Sequence, residues 1–161
     1  MTDFTAPTEP VPLASSLSQN EFAGGDWMQY RVNPKNGEKL SALGYGCMRF
    51  SHKGAGIDQE KANRELKQAL DRGVNYLDTA YIYPGSEEAL GNFIKTYDCR
   101  DQLNIATLLP LYRVKKPEDF DAFFDEELKR LQTDHVDYYL MHMMNDVESF
   151  PNPQSPNRIC F

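Results

Sequence analysis

GVNYLDTAYIYPGSEEALG, residues 73–91, joins the end of a short apolar strand to the start of a helix. The apolar pair Tyr76 and Leu77 is followed at once by Asp78, and two more tyrosines precede the helical pattern that starts at Ser86. In parallel α/β sheets, ligands bind at the carboxyl ends of the strands. A carboxylate at the end of a buried strand therefore predicts a polar site at that edge.

The same strand-helix unit recurs along the chain at a nearly constant spacing. Strand candidates end at about Cys47, Asp78, Leu108 and His142, which are separated by 31, 30 and 34 residues. Units of this length are typical of a parallel sheet. A doubly wound dinucleotide-binding sheet would show GxGxxG after its first strand, whereas this chain has only GAG at 54–56. The pattern favours an α/β barrel with about four parallel strands and three helices in this chain.

Capping residues predict the helix boundaries. Asp58 can cap the first helix, and Gly73 can supply its left-handed carboxyl end. The second helix is predicted to start at Ser86, and the third has Pro117 near its first position. The charged runs of the first and third helices, DQEKANRELKQALDR (58–72) and KKPEDFDAFFDEELKR (115–130), are interpreted as their solvated faces.

The two ends of the chain differ in composition from the middle. Residues 1–27 and 149–161 are rich in proline and lack apolar periodicity, so both segments are expected to be disordered. Residues 28–148 remain as the predicted folded domain. It is expected to open with a β-hairpin, because the Asn36-Gly37 pair suits a type I′ turn.

Charge and cysteine content exclude several classes of function. The 161 residues carry a net charge of -7, which argues against binding nucleic acid or an anionic membrane. No run approaches the roughly 18 apolar residues of a membrane span, and a cytoplasmic protein is expected. Cys47, Cys99 and Cys160 are widely spaced and lack a CxxC pair, so neither disulfides nor a metal site is predicted.

Four segments resemble successive motifs of the aldo-keto reductase family, in particular its bacterial branch whose full-length members often carry a C-terminal iron-sulfur segment. The segments are LSALGYGCMRF, GVNYLDTAYIYPGSEEALG, LNIATLLP and LKRLQTDHVDYYLMHMMND. The resemblance covers residues 28–148 and implies the first half of a TIM-type (β/α)8 barrel. It also implies hydride transfer from NADPH, or NADH, to a small aldehyde or ketone.

The resemblance assigns three catalytic residues. Tyr83 would be the general acid that protonates the carbonyl oxygen, His142 would orient that carbonyl, and Asp78 would anchor the group electrostatically. A tyrosine with an ordinary pKa of about 10 needs its anion stabilised to work near neutral pH, usually by a nearby cation.

The resemblance also implies where the cofactor lies. Gly46, Cys47 and Met48 match the family segment near the nicotinamide end of the cofactor, although small residues there would also suit simple packing. The cysteines of the family's iron-sulfur segment are absent from this sequence, so neither an iron-sulfur cluster nor a metal is expected.

Two departures from the family pattern stand beside these matches. The family's third strand carries a threonine followed by the catalytic lysine, and this chain has Thr107-Leu108 instead. Without that ammonium, nothing evident lowers the pKa of Tyr83, and a buried Asp78 is expected to be protonated or hydrated. The second departure is length, because a complete barrel takes about 250 residues.

Three functions are consistent with these features. The first is an aldo-keto reductase-type oxidoreductase, and the second is a truncated, inactive half-barrel. The third is a non-enzymatic interaction module that uses the open edge of the sheet. Because four parallel strands do not close a barrel, a homodimer or a companion chain that completes the barrel is expected rather than a stable monomer.

Overall fold

The computed structural model describes residues 28–143. The predictions for the two end segments, 1–27 and 149–161, lie outside the described residues, and so does the end of the predicted folded domain, 144–148. In chain order the strands are β1 (Tyr30–Val32), β2 (Lys39–Ser41), β3 (Tyr45–Gly46), β4 (His52–Lys53), β5 (Gly56–Ile57), β6 (Tyr76–Asp78), β7 (Asn104–Leu109) and β8 (Tyr138–Met141). The helices are α1 (Gln59–Asp71), α2 (Ser86–Tyr97) and α3 (Pro117–Leu131).

Four of the strands form one parallel sheet in the order β3-β6-β7-β8. One helix lies between each consecutive pair along the chain, so the sheet is built from three strand-helix-strand units. Spatial order equals chain order, as it does in a barrel. The predicted architecture of about four parallel strands with three helices is confirmed.

The helices begin and end at the residues that the sequence marks. The Asp58 carboxylate accepts a hydrogen bond from the backbone N–H of Lys61 at 3.0 Å and caps α1. Gly73 has a φ of 86° just beyond the end of α1. The other two helices begin at Ser86 and Pro117, as predicted.

The hydrophobic core lies between the helices and one face of the sheet. Ile105 on β7 belongs to a buried cluster with Leu66 of α1, Phe93 of α2 and Leu131 of α3. Each such side chain stabilises the fold by about 1.5–3 kcal/mol relative to an exposed position. Because side chains alternate along a strand, Ala106 faces the opposite side, which we call the inner face.

The predicted hairpin is present, but its turn is not type I′. A type I′ turn has two central residues, both with positive φ. Here β1 and β2 are joined by residues 33–38, and in this loop only Gly37 has a positive φ, 78°. Asn33 controls the turn: its carbonyl accepts from the N–H of Gly37 at 2.8 Å, and its side chain accepts from the N–H of Lys35 at 3.0 Å.

A second short hairpin, β4 with β5, was not predicted. It contains only two residue pairs, and its turn includes Gly54 with a φ of 66°. Strands this short show no alternation of apolar and polar residues that a sequence could reveal.

Candidate active site

The parallel sheet brings the predicted site residues to one edge. Gly46, Asp78 and Ala106 are register partners on β3, β6 and β7, so all three face the same side. His142 directly follows β8, and its backbone N–H donates to the carbonyl of Leu109 at 2.9 Å. Asp78 and His142 therefore lie at the same edge, with β7 between their strands.

Tyr83 lies in the loop 79–85 between β6 and α2. Its N–H donates to the carbonyl of Ala80 at 3.0 Å, and its carbonyl accepts from the N–H of Ser86 at 3.0 Å. These two consecutive turns hold Tyr83 so that its ring contacts the His142 ring. The ring centroids are 5.7 Å apart, and the planes are nearly perpendicular at 88°. Two of the three predicted catalytic residues thus touch across the sheet edge.

Asp78, the third, acts electrostatically on both of them. Burial raises the pKa of Asp78, and the nearby His142 partly opposes that rise. The pKa of Tyr83 is also raised, first by burial and then by the negative charge of Asp78. Burial and the negative charge of Asp78 both favour the neutral phenol. Tyr83 therefore stays protonated at neutral pH and is a weak acid.

His142 holds an unsatisfied polar atom. Within residues 28–143, its Nδ1 is buried and has no hydrogen-bond partner. A buried polar group left unpaired costs about 1–3 kcal/mol.

The segment predicted to lie near a cofactor, residues 46–48, divides into exposed and buried parts. Gly46 is exposed, and no atom lies within 4 Å of the position a Cβ would take there. Met48 is 58% exposed. Cys47 is fully buried in the core cluster, and its thiol pKa is raised by burial and by Asp78. Gly46 and Met48 are therefore available to a bound molecule, whereas the Cys47 side chain serves packing.

Two buried hydroxyls, to which the sequence analysis assigned no such role, tie the Tyr83 loop to this segment. Ser86 Oγ donates to the carbonyl of Cys47 at 2.8 Å and lies 2.8 Å from Thr79 Oγ1. Because Ser86 has only one hydroxyl hydrogen, Thr79 donates the second bond. The two ends of the loop are thus fixed to each other and to the end of β3.

Thr107 and Leu108 face opposite sides of β7. Leu108 comes two residues after Ala106, the register partner of Asp78, and so lies on the inner face with Asp78. Thr107 is fully buried on the helix side, where its hydroxyl donates to Glu87 Oε1 at 2.7 Å. Thr107 therefore does not reach the inner face, because neighbouring strand residues alternate.

A charged cluster that the sequence analysis missed lies between α2, α3 and β7. Glu87 and Glu127 are both 0% exposed, and Arg130 Nη1 lies 3.2 Å from Glu87 Oε2. Burial is the main reason that the pKa of Glu127 rises to about 7, and the pKa of Glu87 is raised by burial as well. Two buried carboxyls therefore share one partly buried cation.

The interpretation of residues 115–130 as a solvated face is wrong at Glu127. This residue comes three positions after Phe124 and four before Leu131, so it lies on the apolar stripe of α3. That spacing is the signal that would have predicted its burial.

The described residues 28–143 contain no group of three or more histidines, cysteines or carboxylates arranged to hold a metal ion. In the same part of the chain, no helix is long and apolar enough to cross a membrane.

Residues 42–151 match the family model described as Aldo/keto reductase family. An aldo-keto reductase of Bacillus subtilis, YhdN, is 32% identical over an alignment of 139 residues, and the match covers 80% of this chain. The holo form of an aldo-keto reductase from Bacillus halodurans superposes with a TM-score of 0.59 at 30% identity and covers 70% of this chain. An aldo-keto reductase from Klebsiella pneumoniae in complex with NADPH gives a TM-score of 0.60 at 26% identity, covering 69% of this chain.

The matches extend over less than half of each of these three relatives. The chain spans 40% of the Bacillus subtilis protein, 40% of the Bacillus halodurans structure and 38% of the Klebsiella pneumoniae structure.

Proposed function

The chain belongs to the aldo/keto reductase family, and from that premise we propose that it carries the proton-transfer half of a site that reduces an aldehyde or ketone. The observation that carries this proposal is the contact between the Tyr83 and His142 rings, 5.7 Å apart, beside Asp78. The substrate is a small carbonyl compound in this proposal.

In this reaction the carbonyl carbon gains a hydride and the carbonyl oxygen gains a proton. Tyr83 donates its phenolic proton to the oxygen, and the resulting phenolate recovers a proton from water. His142 orients the carbonyl by a hydrogen bond from its imidazole, which lies against the Tyr83 ring. Asp78 sets the local charge at the base of the site.

The end of β3 fits a nicotinamide cofactor. The open space over Gly46 and the exposed Met48 would accept a flat ring beside Asp78, the register partner of Gly46. NADPH, or NADH, supplies the hydride when bound. The relative from Klebsiella pneumoniae was solved with NADPH, which supports this choice of cofactor. The absence of an iron-sulfur cluster and the cytoplasmic location stay predictions.

Leu108 favours a second candidate, an inactive member of the family. An apolar side chain at this position gives the Tyr83 phenolate no positive partner, and the charge of Asp78 opposes its formation. Removal of one preorganised charge of this kind commonly lowers turnover by about 100- to 1,000-fold. Under the main proposal the chain is therefore a slow reductase.

Oxidation of NADPH by the purified chain, followed by absorbance with a series of small aldehydes, tests the proposal. We expect slow turnover that Tyr83→Phe abolishes and that Tyr97→Phe, a change on the exposed side of α2, leaves intact. A chain that neither quenches nor shifts NADPH fluorescence and shows no turnover would support the inactive candidate instead.

The open sheet supports association as a third proposal. β3 and β8 are the outer strands of the four-stranded sheet within the described residues, and Leu140 on β8 is 43% exposed. An exposed strand edge and apolar side chains favour pairing with another chain. We expect a second copy to cover this face, with a companion chain as the alternative. Size-exclusion chromatography with light scattering should give the mass of a dimer, and a monomer that persists at all concentrations would contradict this.

A further inference from the structure

Arg130, near the end of α3, reaches the loop that carries Tyr83. Its Nη1 donates to the carbonyl of Tyr81 at 3.2 Å, and its guanidinium carbon lies 4.2 Å from the centre of the Tyr81 ring. The same ring packs against Phe123 of α3, with centroids 4.9 Å apart and planes at 79°. One side chain of α3 therefore holds both the backbone and the ring of a residue two positions before Tyr83.

Carboxylates on two helices fix the orientation of the Arg130 guanidinium. Nη1 lies 3.2 Å from Glu87 Oε2, and Nε donates to Glu126 Oε1 at 3.1 Å. Glu88 adds a longer contact of 3.6 Å. The Glu87 side chain is 1% exposed, so it needs this cation as a counter-charge. Arg130 is thus held in one geometry at the first turn of α2.

Close packing of α2 on α3 fixes the distance over which Arg130 must reach. A Cβ added at Gly91 would lie 2.5 Å from the carbonyl oxygen of Arg130 and 2.8 Å from the carbonyl carbon of Leu131. Only glycine allows the α3 backbone to lie this near to α2. Because Glu87 is one helical turn before Gly91, the guanidinium meets the start of α2 and the Tyr83 loop together.

Two sets of hydrogen bonds within residues 28–143 support different parts of the loop, and Arg113 adds a longer contact, 5.8 Å from the centre of the Tyr81 ring. Thr79 and Ser86 hold its ends through buried hydroxyls. Arg130 holds its middle at Tyr81, inside the turn that the N–H of Tyr83 closes onto Ala80. If the Tyr81 carbonyl loses its donor, the Tyr83 ring can move while both ends of the loop stay in place.

We propose that Arg130 is a positioning residue, which holds the Tyr83 ring against His142 through the carbonyl and ring of Tyr81. Arg130 does not touch the reacting atoms. The catalytic meaning of this inference rests on the proposed function, since it assumes that Tyr83 is the proton donor.

The test compares three variants of the full chain in the absence of ligand. Arg130→Met removes the cation, Arg130→Lys keeps the charge without the planar fork, and Lys129→Met is the control because the Lys129 side chain is 80% exposed. Circular dichroism and thermal unfolding first establish that each variant is folded. The main readout is the nuclear Overhauser cross-peak between the Tyr83 and His142 rings, which a merely stabilising residue would not affect in a folded protein.

We expect the cross-peak to be lost in Arg130→Met, weakened in Arg130→Lys and unchanged in Lys129→Met. If Arg130→Met does not fold, Arg130→Lys decides, because one ammonium cannot hold both Glu87 and the Tyr81 carbonyl in the same geometry. A folded Arg130 variant with the parent cross-peak at full intensity would overturn the proposal.

A measurement of turnover distinguishes a failure of this inference from a failure of the proposed function. If the parent reduces an aldehyde, Arg130→Lys should lower kcat about 10- to 100-fold with little change in KM. If the parent has no activity, the proposed function fails, yet the ring contact still decides whether Arg130 positions Tyr83.

Discussion

Leu108 and Asp78 lie on the same face of the parallel sheet, on the neighbouring strands β7 and β6. Ala106 is the register partner of Asp78, and Leu108 is the next residue of β7 on that face. A charged side chain at position 108 would therefore act electrostatically on the same groups as Asp78, namely Tyr83 and His142. With leucine there, the pKa values of Asp78 and Tyr83 are both raised.

Asp78→Asn is expected to lower the pKa of Tyr83. The carboxylate raises that pKa by opposing the phenolate, and the amide removes this effect while burial, the larger cause, remains. The pKa should thus fall but stay above the ordinary value of about 10. Carbon-13 labelled tyrosine, with the Tyr83 signal assigned from Tyr83→Phe, gives the titration directly. Asp125→Asn, an exposed change on α3, should leave it unaltered.

Glu127→Gln is expected to reduce the pH dependence of stability. The pKa of Glu127 is raised from 4.5 to about 7 in the folded chain, so the folded state binds this proton more tightly than the unfolded state. The resulting stability is fully present below the unfolded pKa and is lost as the pH rises through about 7. The free energy of unfolding in urea should fall by on the order of 2–3 kcal/mol over this window in the parent.

In Glu127→Gln most of that fall should disappear. A smaller slope of the same sign should persist, because burial also raises the pKa of Glu87 and Asp78. Glu118→Gln, in the exposed first turn of α3, serves as the matched control. An equal slope in Glu127→Gln and the parent would show that Glu127 does not hold a proton in the folded chain.

Gly91→Ala is expected to destabilise the chain by about 1–3 kcal/mol. Alanine favours a helix over glycine by about 1 kcal/mol, but its Cβ would lie 2.5 Å from a backbone oxygen of α3. Gly46→Ala offers a contrast, since its Cβ would meet no atom within 4 Å, and its stability should match the parent's. Urea unfolding compares the two, and equal effects would contradict the packing described for Gly91.

The sequence predicted the parts of this fold that local patterns encode. Asp58, Ser86 and Pro117 mark the helix starts correctly, because caps and fixed φ angles act within one turn. The spacing of the strand ends predicted the parallel sheet, and the family resemblance placed Tyr83 and His142 in one site, where their rings are in contact. Their catalytic roles stay predictions.

What the sequence analysis missed depends on packing between distant segments. The spacing of Glu127 on the apolar stripe was readable, but its counter-charge Arg130 and the Tyr81 carbonyl come together only when α3 packs on α2. The hairpin turn was misassigned for a different, local reason: Asn33 binds two backbone groups of the loop and overrides the preference of the Asn36-Gly37 pair.

One titration tests most directly the claim that position 108 controls the pKa of Tyr83, the proposed proton donor. The pKa of Tyr83 is measured by carbon-13 labelling in the parent, in Leu108→Lys and in Leu108→Met, the neutral control of similar size. We predict that the lysine lowers the Tyr83 pKa well below the parent value, because its ammonium stabilises the phenolate, and that methionine leaves it unchanged. An unchanged Tyr83 pKa in a folded Leu108→Lys variant would contradict the account.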